Sequence, residues 1–176
     1  MTTTPTIAVF GLGNVLLGDD AVGPFVIELL RATYEVPDNV TLVDLGTPGL
    51  GLPAYLSESD AVILIDAVSA SGAPGELRLY RRDDLDRVPL QPRVSPHDPA
   101  VQEALWLTDL AGSSPRDLLL VGVIPERSML GAGLSERVRR ACAAAVAAVV
   151  AELARLGAPA TPRRAARQPN IWWVLD

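Results

Sequence analysis

The 176-residue chain has no lysine, one histidine and one cysteine, and only 5% of it is aromatic. All 15 basic residues are therefore arginine. Alongside abundant alanine and proline, this reads as a codon-composition bias rather than a functional signal. A single cysteine forms no internal disulfide, which fits a reducing compartment. A single histidine would have to serve any catalytic triad alone, and no serine or threonine sits in a G-x-S-x-G elbow. Positive charge is in deficit: the formal net charge is −6, which argues against a nucleic-acid partner. Long apolar runs are missing too. The stretch after the polar Met1–Pro5 is too short for a signal peptide or a membrane span. The expectation is a soluble cytoplasmic protein without a membrane partner.

What remains is a globular composition, 49% hydrophobic and 20% charged, of a length that suits one domain with a sizeable core. Strand patterns at Thr6–Phe10, Val40–Asp44, Ala61–Ala67, Glu76–Arg81 and Leu118–Ile124 alternate with helix patterns at Ala21–Tyr34, Leu50–Ser57, Pro99–Leu110 and Ser135–Leu156. The continuously apolar Ala61–Ala67 calls for cover on both faces of its sheet. This predicts an α/β fold, a three-layer sandwich with a mostly parallel five-stranded sheet and helices on both faces. Only Val68–Gly75, with its Ser-Gly and Pro-Gly turn signals, separates the third and fourth strands. That is too short for a parallel crossover, so the fourth strand is expected as an antiparallel edge. The reading gives one α/β domain over residues 1–158 and an appended tail over 159–176. The tail reads as a flexible or extended tether ending in the apolar cluster Ile171–Leu175. That cluster is expected to dock its Trp pair in an apolar groove, on its own domain or on a neighbouring molecule, either against the last helix or near the active-site edge.

Chemistry concentrates in GLGNVLLGDDAVG at 11–23, between the first strand and the first helix. A glycine-rich turn in that position normally cradles phosphate. Here the helix entry carries Asp19 and Asp20, where an anionic ligand would want to sit. Two carboxylates there repel a pyrophosphate and attract a metal ion. In a doubly wound sheet, ligands bind beyond the carboxyl ends of the strands, where the strand order reverses. With an order beginning 2-1-3, that point brings the loop holding Asn14, Asp19 and Asp20 beside Asp66, which ends the third strand. Asp66 alone could equally be a turn or N-cap carboxylate. His97, in the stiff Val94–Pro99 turn, could be structural, yet it follows a long loop, Asp83–Arg93, and precedes a helix, so it can reach the same edge. Two carboxylates and one imidazole suit nickel, zinc or iron(II). Asp44, at the end of the second strand, keeps a nucleotide reading open, although Gly11, Gly13 and Gly18 do not make G-x-G-x-x-G. Cys142 aligns with Val138, Val146 and Val149 and reads as a core thiol.

The ordered motifs resemble those of the hydrogenase maturation endopeptidases, the nickel-dependent processing proteases of [NiFe] hydrogenases. GLGNVLLGDDAVG resembles that family's N-terminal signature and DLGTPG at 44–49 its second glycine loop. ILIDAV at 63–68 is similar to its strand-three carboxylate motif, SPH at 95–97 to its histidine motif and LVGVIPE at 120–126 to its last-strand motif. The resemblance spans about residues 6–156. It implies that Asp20, Asp66 and His97 are the catalytic residues and the nickel ligands, with Asp20 standing where the family frequently has glutamate. It implies as partner and substrate the precursor of the [NiFe] hydrogenase large subunit, already loaded with nickel. The C-terminal extension of that precursor is removed after metal insertion. Nickel delivered by the substrate is then the recognition element, and a Lewis acid for the scissile carbonyl. The alternative is a non-catalytic module of the same fold that recognises a nickel protein or a nucleotide.

Overall fold

Every residue of Ile7–Leu12, the first strand β1, is buried. A strand hidden on both faces needs helices above and below it, and the chain supplies them. The computed structural model describes residues 4–87, 101–131 and 133–174. After β1 come α1 (Val22–Thr33), β2 (Tyr34–Glu35), β3 (Val40–Gly46), α2 (Leu52–Ser57), β4 (Ala61–Ala67) and β5 (Leu77–Arg81). They are followed by α3 (Arg82–Leu85), α4 (Val101–Leu110), β6 (Asp117–Val123), α5 (Glu136–Arg155) and β7 (Thr161–Pro162).

The main sheet has five strands in the order β3-β1-β4-β6-β5. β3, β1, β4 and β6 run parallel, and β5 lies antiparallel to β6 at the edge. The expected order 2-1-3 and the antiparallel edge are both present. The short connection does not make a hairpin, however, because β6 inserts between β4 and β5. The chain between β4 and β5 crosses the carboxyl end of β6, where Val68 donates to the Val123 carbonyl at 2.9 Å and Gly75 to the Ile124 carbonyl at 2.8 Å.

Strand alternation sorts the core into two layers. Ile7, Val9, Ile63, Ile65, Val121 and Val123 pack under α1 and α5. Ala8, Phe10, Val62, Leu64, Leu118 and Leu120 pack with Leu52 and Leu56 of α2, Leu85 of α3, and Ala104 and Leu105 of α4. α1 approaches the sheet through glycine. A Cβ on Gly11 would stand 2.5 Å from the Gly23 carbonyl oxygen, and one on Gly23 would stand 2.5 Å from that of Ile65. The start of α1 is thereby pressed against the ends of β1 and β4.

Two local elements differ from expectation. The loop expected over Asp83–Arg93 begins as a helical turn, because Asp84 accepts the Arg81 amide at 2.9 Å and caps it. The tail lies on α1 rather than the last helix alone. β7 pairs antiparallel with β2, and the Arg163 and Arg167 amides donate to Thr33 and Ala32, each at 2.9 Å. The Arg163 guanidinium reaches the Arg31 carbonyl at 3.0 Å. A helix leaves its last carbonyls without intrahelical donors, and the tail supplies them for α1. Ile171 and Val174 then pack on the core under α1 and α5. Trp173 is 5% exposed while Trp172, edge-on to it at 5.7 Å, is 69% exposed. No helix among the described residues is long and apolar enough to cross a membrane.

Candidate metal centre at the carboxyl edge of the sheet

β1 and β4 are paired neighbours, with Gly11 opposite Ile65. The loop leaving β1 and the last residues of β4 therefore share one edge of the sheet. The loop is built on glycine. Gly13 has φ of +128°, and a Cβ there would overlap the Asp20 carbonyl oxygen. Its amide donates to the Gly46 carbonyl at 2.9 Å, joining the loop after β1 to the end of β3. Asp44 lies within β3, two residues before Gly46. It folds over its own turn, Oδ1 accepting the Gly46 amide at 2.8 Å.

A 3₁₀ turn, Gly18–Ala21, carries the two consecutive aspartates and sends them opposite ways. Asp20 turns back to the glycine loop, where its Oδ2 accepts the Asn14 amide at 2.7 Å. It is half-buried. Asp19 is 0% exposed. Its Oδ2 accepts the amides of Glu126 and Arg127 at 2.8 and 2.9 Å and the Ser135 hydroxyl at 2.9 Å. Its Oδ1 accepts the Ser135 amide at 2.6 Å. Ser135 is the N-cap of α5, so the Asp19 charge sits at the positive end of that helix. The pair read from sequence as one metal-attracting feature thus divides: Asp19 is an internal anchor, and Asp20 stands at the edge. No signal near Asp19 could have shown this, because its partners lie 107 to 116 residues away.

Asp66 is half-buried in the last turn of the β4 pleat, opposite Gly122 of β6. Alternation puts it on the face of Val62 and Leu64, which α2 and α4 cover. His97 lies outside the described residues; in sequence it stands four residues before α4. Among the described residues no three His, Cys, Asp or Glu side chains gather into a metal-binding cluster. Cys142 is no rival nucleophile. It is 1% exposed, its Sγ donates to the Val138 carbonyl, and burial together with the Asp19 charge pushes its thiol up to about 12.

With this geometry in view, comparison with known proteins is specific. Residues 24–152 match a family described as hydrogenase maturation protease. The chain belongs to the hydrogenase maturation protease family. It is 40% identical over 162 residues to the hydrogenase expression/formation protein HupM of Azotobacter chroococcum mcd 1, covering 92% of this chain and 78% of the relative. It is 36% identical to the hydrogenase 2 maturation protease of Escherichia coli (strain K12), covering 90% and 97% of the two chains. The hydrogenase maturating endopeptidase HybD from E. coli superposes with a TM-score of 0.82 at 35% identity over 90% of this chain and 98% of that one. A maturation protease from Thermococcus kodakarensis KOD1 gives 0.65 at 25% identity, over 85% and 92%. The enzyme is a hydrolase.

Proposed function

We propose that this protease removes the C-terminal extension of a [NiFe] hydrogenase large-subunit precursor after nickel insertion, and that Asp20, Asp66 and His97 recognise the nickel which the substrate carries. The reading rests on one observation above the others: the loop after β1, which carries Asp20, and the end of β4, which carries Asp66, belong to adjacent parallel strands, in a chain of the maturation protease family. The donor set fits the metal. Two carboxylates and an imidazole are ligands that nickel accepts. α4, the helix that follows His97, packs on the face to which Asp66 belongs. Nickel bound to the precursor supplies a Lewis acid near the peptide bond to be cut.

The chain's own residues orient that encounter. The Asn14 amide holds one oxygen of Asp20 in place. Gly13 lets the chain turn tightly enough to bring Asn14 there. The negative charges at this edge would draw a cationic centre and repel the pyrophosphate of a nucleotide. The reading places the reaction in the cytoplasm.

Asp66→Asn tests it, since the amide keeps the carboxylate's shape and removes its charge. Purified variant and nickel-loaded precursor are incubated and the C-terminal peptide is quantified by mass spectrometry. Loss of the peptide at an unchanged melting temperature supports the assignment. Release at the wild-type rate overturns it.

A further inference from the structure

Asp19 is a buried carboxylate that makes no contact with the proposed substrate metal. Asp19 has no solvent exposure, yet it accepts four hydrogen bonds from the β6–α5 connection, at 2.6 to 2.9 Å. The backbone around it is stitched to the same segment. The Asp19 amide donates to the Arg127 carbonyl at 3.0 Å, the Gly18 amide to Gly131 at 2.9 Å, and the Gly131 amide back to Leu16 at 3.0 Å. The turn Gly18–Ala21 is therefore held on one side by Asp19 and on the other by the contact between Asp20 and Asn14.

We propose that Asp19 is a positioning residue for substrate recognition: its clamp on Ser135 and the 126–127 amides fixes the turn from which Asp20 meets the metal of the substrate. This rests on the reading of Asp20 as a nickel contact. Asp19 itself touches no substrate. The position requires a carboxylate because every partner is a donor. An asparagine in either orientation would turn its own N–H₂ toward a backbone amide, that of Ser135 or those of Glu126 and Arg127, with two donors facing each other. Here one peptide unit joins the anchor to the group it aims. Groups that orient a metal-contacting carboxylate carry much of a site's function, and their loss commonly costs about 10- to 100-fold.

The test is a mutant cycle on the full chain with nickel-loaded precursor, measured well below the melting temperature. Ser135→Ala removes one donor and keeps the Ser135 amide, so it is the gentler probe; Asp19→Asn is the stronger. Both are expected to lower kcat/KM about tenfold or more. In an Asp20→Ala background, Ser135→Ala should change kcat/KM by less than about twofold, because the anchor acts through Asp20. Unchanged kcat/KM in Ser135→Ala and Asp19→Asn, with only a lower melting temperature, overturns the proposal and leaves Asp19 a stability residue. An equal loss in both backgrounds overturns it as well. Wild-type kinetics in Asp20→Ala alone overturns the underlying reading, and this inference with it, which distinguishes the two failures.

Discussion

Arg81 and Glu152, 71 residues apart in sequence, meet as a two-pronged ion pair, Nη1 to Oε1 at 2.5 Å and Nη2 to Oε2 at 2.7 Å. The pair ties the edge strand β5 to the C-terminal half of α5. Arg155 adds a second guanidinium to Glu152 and reaches Asp117 at the start of β6. Glu152 is 4% exposed. Burial alone would raise its carboxyl, but hydrogen bonds and charge from Arg81 and Arg155 outweigh it and bring the group down to about 2.

A carboxylate lowered in the folded state stabilises at pH above its unfolded value and loses that contribution as pH falls through its folded value. The contribution of Glu152 is therefore complete above about pH 4.5 and fades toward about pH 2. Glu152→Ala should lower stability at pH 7 by about 2 kcal/mol, between the figures for exposed and buried pairs. The melting temperature then drops about 4–8 °C. The deficit should shrink on acidification toward pH 2, while processing at 25 °C stays at the wild-type rate. Calorimetric melts at several pH values check this.

Gly13→Ala should be far more damaging than Gly157→Ala. Both glycines have positive φ, +128° and +79°, but a Cβ at Gly13 overlaps the Asp20 carbonyl whereas one at Gly157 meets nothing within 4 Å. Gly157→Ala should cost only about 1–2 kcal/mol of left-handed strain. Gly13→Ala should displace Asp20 and abolish processing. Parallel melting and cleavage assays on the two variants separate strain from clash.

The first three strands' order and the antiparallel edge strand were legible in the sequence because apolar strands and their connection lengths are local patterns. The places of Asp20, in the turn between β1 and α1, and of Asp66, near the end of β4, were legible for the same reason. Three features were not. The place of β6 between β4 and β5 depends on pairing across the sheet, and no local pattern in Val68–Gly75 records it. The anchoring of Asp19 depends on amides at Glu126, Arg127 and Ser135 that become neighbours only on folding. The tail's route follows the unpaired carbonyls at the end of α1, and its extended backbone has no periodicity that would mark them as its target.

The two tail tryptophans should respond differently. Trp173→Ala removes a buried side chain and should cost about 3 kcal/mol, at the low end for such truncations, because its indole N–H has no partner among the described residues. Trp172→Ala, at a position 69% exposed, should change the melting temperature by less than about 2 °C. Trp173→Phe, which deletes the unpartnered N–H, should retain more stability than Trp173→Ala. Chemical denaturation curves of the three variants give the comparison.

Asp20→Glu should retain processing, because a longer carboxylate still presents an oxygen donor at the same edge. Asp20→Asn should slow it sharply, because the charge is gone while the shape is kept. Initial rates with one batch of nickel-loaded precursor make the contrast direct.

The most direct test is cleavage of one large-subunit precursor prepared with and without nickel, with the released C-terminal peptide identified by mass spectrometry. Nickel recognition through Asp20, Asp66 and His97 predicts peptide from the loaded precursor only, and none from either form with His97→Ala. Equal cleavage of the nickel-free precursor by the wild-type chain would contradict the account.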